Sequence, residues 1–575
     1  MTSPKFTIAG VEAARLLKLS ALAAVMALTC GPTFADNFDN IKPGYLSKKP
    51  KMLVIPGDLS LDTNGAAPPV ANAGSPYLLG FEGVSQYDGA SFGRNFIPPD
   101  TMGAVGKTQF FESTNGAYAV FDKKTGARLS LVSDNAFWAA AGQPLGTNGD
   151  TRVMYNADAQ RWIVVAFGSN TKDLQIAISN TSDALGGWKS TKFEGYAGLG
   201  FGATADYPTL ALDKNAVYIG TNDFAPARAG GPNRFRGTTL DVIPIESLFN
   251  GVAPTTTNMK QFVTTLTAVS EDRGFAIQGV NSRAAGSQGT AVANSLFFND
   301  NVAYKINGLS TSSALGSSQG GVVQLGLAPF RDAGPARQPD VVPDANPNVD
   351  FPNNKRVVDA LDQRISSSVY EARGRLYTVQ TVNPLTDAAG DFARVHYTVL
   401  DATSFAILDE GDIGTGAYDY YQGSIAVNKD GVMVVGYNRS GLDPLTGKIS
   451  FMARSFLTTD DGRLQALSDE ILLHESLVDD YHNGSVFGQV AVGRQRWGDY
   501  AQVTIDPDDD SSFFLIGEFA REYNNAAGGH PGGTGGSRWG TWIAQFAAVP
   551  EPGTLLMVLL GFAAAGVASR RRVTH

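Results

Sequence analysis

Thiols are almost missing from this chain: a single cysteine, Cys30, stands among 575 residues. With no second cysteine, an internal disulfide and a multi-cysteine metal cage are both excluded. Histidine is scarce too, five in all, and no two share a ligand spacing such as His-Glu-x-x-His, which argues against histidine-held catalytic metal. Charged residues make up only 17%, and acids outnumber bases, 55 to 45. That excess of negative charge speaks against nucleic acid and anionic membrane surfaces as partners. Glycine, by contrast, is abundant at 65 residues, a balance typical of turn-rich all-β architecture rather than helical bundles or disorder.

Both ends of the chain carry transport signals. Lys5, Arg15 and Lys18 form a basic region, Leu19 to Leu28 an apolar core, and Thr33-Phe34-Ala35 a small-residue cleavage site, so residues 1–35 read as a signal peptide cut after Ala35. Ala27-Leu28-Thr29 is a poor lipobox, and Cys30 is expected to leave with the leader. The other end runs Val549-Pro550-Glu551-Pro552-Gly553, then an apolar stretch from Thr554 to Ala568, then Arg570-Arg571-Arg572. Pro550 and Pro552 fix φ and lack an amide donor, so a helix can begin only after them. The stretch falls short of the ~20 apolar residues of a spanning helix, which suits a transient hydrophobic anchor helix. The arginines should stay cytoplasmic, leaving the body outside.

The order of motif, short hydrophobic helix and basic cluster resembles the PEP-CTERM sorting signal, with Val549, Pro550, Glu551 and Pro552 as its motif. The resemblance implies that residues 549–575 are handled by an exosortase-type membrane processing enzyme. An anchor that is never cut is the plainer alternative. In both cases the body lies outside the cytoplasm, at the outer surface or in the extracellular matrix.

Each terminal segment carries three basic residues and one acidic, so their removal takes the net charge from −10 to −14. The body left behind, about 510 residues, exceeds one simple core and calls for several domains or a repeat architecture. A repeat is visible. One module, a short alternating strand, a turn of Asp, Asn, Lys or Gly, and a second strand, begins at Asp100, Asp150, Asp206, Ile365, Gln422 and Asp499. Several copies add a third strand, as at Leu174–Ser179, His396–Asp401, Ile449–Arg454 and Thr541–Phe546. Phe275 to Leu309 could hold a degenerate copy. Such modules predict a β-propeller over residues 96–548, of seven blades with six as the alternative, because a ring buries both faces of every sheet. A pair of β-sandwiches explains the repeat less well. Residues 36–95, rich in Pro, Gly, Ala and Asn, read as an extended arm.

The modules also resemble sialidase-like, BNR-type propellers of exported bacterial proteins, most of all at Trp497-Gly498-Asp499-Tyr500 and Trp539-Gly540-Thr541-Trp542. The Asp-box of those proteins has only a distorted echo in Thr181 to Trp188. That box is a turn element, and it reports fold rather than catalysis.

Few motifs carry chemistry. Gly89-Ala90-Ser91-Phe92-Gly93 matches the Gly-x-Ser-x-Gly pattern but lacks a strand-to-helix elbow. The glycines at 198–202 lack the βαβ surroundings of a dinucleotide site. Asp506 to Asp510 fits no EF-hand spacing and reads as a solvated hairpin. No cofactor and no metal site is expected. The long Gly/Pro/Asn loops at 226–236, 335–354 and 524–537 are either binding elements or mobile inserts.

Position is more informative. Inner strands of a propeller open at one end of its axis, so residues at the module starts should converge there. These are Asp100, Asp150, Asp206, Tyr207, Arg364, Tyr421, Arg496, Trp497, Asp499 and Tyr500. Carboxylates, arginines and aromatics together can bind a polysaccharide by hydrogen bonds and stacking, or hydrolyse it if two carboxylates flank a glycosidic bond. The plainer alternative is that the acids cap strand ends and tie neighbouring blades. The leading expectation is an exported propeller that binds polysaccharide or protein without catalysis; a sialidase-like glycoside hydrolase is the alternative.

Overall fold

The computed structural model describes residues 70–71 and 76–547, apart from 95, 145–148, 169–172, 196–203, 226–233, 252, 256, 266–268, 285–287, 310–314, 340–356, 479–480, 482–495 and 524–536. The expected signal peptide with Cys30, the glycines at 198–202, His482, His530, most of the long loops and the sorting tail lie outside the described residues.

Alternating apolar residues broken by Gly, Asp and Asn turns fold into antiparallel meanders, as period-2 patterning requires. The first sheet runs outward from Met102–Val105 (β1) through Gln109–Thr114 and Ala117–Asp122 to Arg128–Ser133. The second runs from Arg152–Asn156 (β2) to Trp188–Glu194. In the third the inner strand is broken, so that Thr204–Asp206 and Ala211–Leu212 (β3) both pair with Ala216–Ala225. Next comes a ten-stranded sheet. It contains one meander starting at Phe275–Ser282 (β4) and another starting at Val369–Ala372 (β5), joined by parallel pairing of Val280 with Val369. A five-stranded sheet starts at Tyr418–Val427 (β6). The closing sheet runs from Gln502–Ile505 (β7) through Ser512–Tyr523 and Ser537–Ala547, and is completed by Tyr77–Ser85 and Val70–Ala71 from the beginning of the chain.

The inner strands close a ring. β1 touches β2 and β7, β4 touches β3 and β5, and β6 touches β5 and β7. Arg152 Nε, in β2, donates to Pro208 O just before β3 at 2.8 Å, and Val105 N, in β1, donates to Thr504 Oγ1 in β7 at 3.2 Å. This is an all-β propeller. The expected seven separate blades, or six, are corrected: among the described residues five blades stand by themselves as sheets of four or five strands, and the two further meanders share one ten-stranded sheet. That sheet is continuous because the four-residue β5 lies edge to edge with the end of β4, within backbone hydrogen-bonding reach, and Ala336–Arg337 with Val357–Val358 makes a separate two-stranded sheet.

Faces of neighbouring sheets supply the core. Arg161–Phe167 is buried at every position after its first, as a strand covered on both faces must be. Val379, Val434, Phe451 and Leu515 belong to one continuous apolar cluster spanning several sheets. Tyr77–Ser85, read from sequence as part of an extended arm, is instead a buried strand paired with Ser537–Ala547. It is followed by the short helix Gln86–Ser91, started by a reciprocal cap between Ser85 and Asp88. Ser91 ends that helix and donates to Asp88 O at 2.6 Å, which is not a nucleophile elbow. The acidic turn after β7 is less solvated than expected: Asp506 is buried and takes Lys123 Nζ at 2.9 Å, tying the closing sheet to the first. Among the described residues no helix is long and apolar enough to cross a membrane.

Candidate functional site

Left-handed backbone conformations mark one end of the axis. Asp100 (φ 50°), Asp150 (φ 54°) and Tyr207 (φ 55°) lie just ahead of β1, β2 and β3, and Gln422 (φ 54°) interrupts the register of β6. Asp tolerates this region because its short side chain bonds locally, whereas for Tyr and Gln it costs on the order of 1 kcal/mol or more. The turns bring side chains from distant sheets together.

Asp100 is the tie. Its Oδ1 accepts the Asp499 N–H at 3.0 Å, joining the first sheet to the last, and its Oδ2 accepts Asn115 Nδ2 at 2.7 Å. Asn115 Oδ1 in turn accepts the Asp150 N–H at 3.0 Å. Asp150 Oδ2 accepts the Tyr500 hydroxyl at 3.3 Å, and the Tyr207 hydroxyl donates to Asp499 O at 3.3 Å. Arg496 Nη2 holds Asp499 Oδ1 at 3.0 Å.

Aromatic rings and guanidinium groups fill the axis beside these acids. The rings of Tyr207 and Tyr500 lie 4.9 Å apart. Arg152 stands 3.6 Å from the Tyr500 ring and Arg364 stands 4.4 Å from the Tyr207 ring. Arg364 is itself gripped by Asp362 through two bonds of 2.7 and 2.8 Å.

Crowded, desolvated carboxylates resist ionising together. Burial, then the charges of Asp499 and Asp150, push Asp100 well above the ordinary carboxylate range. Burial, then the charges of Asp206 and Asp499, push Asp150 up to about 7, although the nearby arginines Arg496 and Arg152 pull the other way. Glu518, buried beside Thr101, is raised as well, mainly by burial. Among the described residues no group of three or more His, Cys, Asp or Glu side chains is arranged to hold a metal ion.

Of the residues singled out from sequence, Asp100, Asp150, Asp206, Tyr207, Arg364, Arg496, Asp499 and Tyr500 gather at this end. Tyr421 and Trp497 do not. Tyr421 bonds Ser440 Oγ at 3.0 Å and Trp497 Nε1 donates to Asn438 Oδ1 at 3.1 Å, both fully buried in one apolar cluster between sheets. The reason is alternation: the neighbour of Tyr421, Gln422, is the one turned inward, and it donates to Gly498 O. Arg152, Asn115 and Gln422 were not anticipated. Arg152 follows Asp150 by two positions and had that much signal, while Asn115 had none.

Residues 548–572 match the model of the PEP-CTERM protein-sorting motif. A comparison with curated proteins gives no match. Among solved structures, the chain resembles an α-L-arabinofuranosidase of Fusarium graminearum at 10% identity and a TM-score of 0.35, over 68% of this chain and 92% of that one. It also resembles a sialidase of Trypanosoma rangeli at 9% identity and 0.30, over 74% and 57%, and an α-L-arabinanase of Cellvibrio cellulosa at 10% and 0.29, over 56% and 95%. Scores this low decide nothing about activity, and the propeller assignment rests on the sheets themselves.

Proposed function

We propose that the chain is an exported propeller, sorted to the cell surface or extracellular matrix by an exosortase-type enzyme acting on its tail, and that its acidic pole binds polysaccharide without turnover. The observation that carries the binding reading is the gathering of Asp150, Asp206, Arg496 and the paired tyrosines at one end of the axis from positions hundreds of residues apart. Asp100 and Asp499 already spend carboxylate oxygens on ties within the fold. Asp150 and Asp206, with Arg496 beside them, are only partly buried where Asp100 and Asp499 are buried, so they are the groups that a ligand's hydroxyls would reach.

One observation favours a second reading. A carboxyl raised to about 7, as Asp150 is, suits a general acid, and with an ionised partner it would serve glycoside hydrolysis. A glycan array and a fluorogenic glycoside panel on the exported chain, run beside Asp150→Asn and Asp206→Asn, separate the two. Binding that weakens in both variants with no turnover supports the first reading. Turnover that disappears in either variant replaces it with the second. Tail processing is checked by the intact mass of surface-associated protein; a mass retaining Arg570, Arg571 and Arg572 overturns it.

A further inference from the structure

The axis opens at its other end, where the inner strands finish, away from the acidic pole. There the last residues of β1 and β2, the turn after β3, and the ends of β4 to β7 enclose a cavity of about 830 Å³. Small-ligand sites typically measure ~300–1,000 Å³.

Most polar groups around it are committed to the fold. Asn281 takes Leu212 N at 3.0 Å and donates to Val369 O at 3.1 Å. Asn428 takes Val432 N at 2.8 Å and donates to Asp510 O at 2.9 Å. Asp508 and Asp510 hold Lys123 and Lys429 at 3.2 and 3.0 Å. A small remainder is uncommitted. Among the described residues, the exposed Lys214 ammonium has neither a hydrogen bond nor an ion pair, and the half-buried Glu371 carboxylate, in β5, has no hydrogen bond and meets only the charge of Lys305. Arg283, just after β4, is 58% exposed and reaches toward Asp158 and Asp510 at only 4.0 Å each.

The balance of charge narrows the ligand. Four basic and five acidic side chains line the cavity, so a strongly charged ligand of either sign meets about as much repulsion as attraction. Cationic donors at Lys214 and Arg283 and an acceptor at Glu371, whose side chains make no hydrogen bond within the fold, suit a molecule dense in groups that both donate and accept. Tyr155 and Tyr370 add ring surface for its less polar faces. We infer that this opening is a separate binding site for a short uncharged oligosaccharide, recognised by Lys214, Arg283 and Glu371. It does not depend on binding at the acidic pole.

The test is calorimetric titration of the exported chain with cellotriose, xylotriose, maltotriose and laminaritriose, and with a trisaccharide of glucuronate and one of glucosamine as charged probes. At least one neutral trisaccharide is expected to bind. Arg283→Ala, Lys214→Ala and Glu371→Gln should each weaken it by about tenfold or more, the usual worth of a hydrogen bond to a charged group. Their melting temperatures should stay at the wild-type value, since the replaced side chains hold no part of the core. No binding of any neutral trisaccharide, tighter binding of a charged one, or affinity unmoved by all three variants overturns the inference. So does binding lost in Asp206→Asn alone, which would assign the ligand to the pole.

Discussion

Glu112 is expected to carry a proton at neutral pH, and the surrounding hydrogen bonds say why. It sits fully buried in the first sheet, where Val84 N donates to its Oε2 at 2.9 Å. The Thr541 hydroxyl oxygen lies 2.6 Å from its Oε1 and 3.0 Å from Val84 O. A hydroxyl has one hydrogen, so it cannot serve both acceptors. If Thr541 donates to Val84 O, the short contact to Glu112 is satisfied by a proton on the carboxyl, and every partner is then met. Burial pushes Glu112 from an ordinary 4.5 up to about 8, the bonds from Thr541 and Val84 offsetting only part of it. Because the folded value lies above the unfolded one, the contribution is fully present below pH 4.5 and is lost as pH rises through 8. The displacement corresponds to roughly 5 kcal/mol, an upper bound if the sheet relaxes. Glu112→Gln places an N–H where that proton stood and cannot ionise. Urea unfolding of both proteins at pH 5 and 8.5 should show the wild type losing several kcal/mol relative to the variant on going alkaline. Parallel pH dependences would refute the protonated network.

Three further outcomes follow from named contacts. His474 stacks on Trp542 with rings 3.9 Å apart, and burial pushes it from 6.5 down to about 4; its stability is present above 6.5 and drains as pH falls through 4, so His474→Phe should flatten acid unfolding over that window. His396 goes the other way: burial alone would lower it, but Asp412 at 2.8 Å and Glu410 at 3.5 Å raise it to about 9. Its contribution is full below 6.5 and lost as pH rises through 9, and an imidazole NMR titration with a midpoint at or under 6.5 would contradict this. In Gly220→Ala the new methyl would stand 2.2 Å from Ile277 O, a backbone atom of β4, so the variant should lose about 3 kcal/mol by denaturant unfolding.

Local patterning made much of this legible. The third strands expected at Leu174–Ser179 and His396–Asp401 lie inside Asp173–Ser179 and Arg394–Asp401, because alternation and turn residues act over a few positions. Lateral pairings were not legible. Tyr77 bonds Trp542, 465 positions later, and nothing within residues 77–85 names that partner. The joining of β4 to β5 was hidden for the same reason. At the site, the acids opening four of the six modules could be placed, since each precedes an inner strand. Tyr421 was misplaced because one position along a strand exchanges axis for core. The role of Asn115 depends on two carboxylates' backbones and side chains in space, and no spacing encodes it.

The strand ending at Ala547 has a hydrogen-bonded neighbour on each side, Ser512–Tyr523 and Tyr77–Ser85. The sorting segment begins at residue 548, immediately after it. Tension applied through a tethered tail therefore runs along that strand and loads both ladders in shear, so many bonds must yield together instead of unzipping singly. For a chain held at a cell surface as proposed, the propeller's closing sheet would be a mechanical clamp placed where hydrodynamic drag arrives.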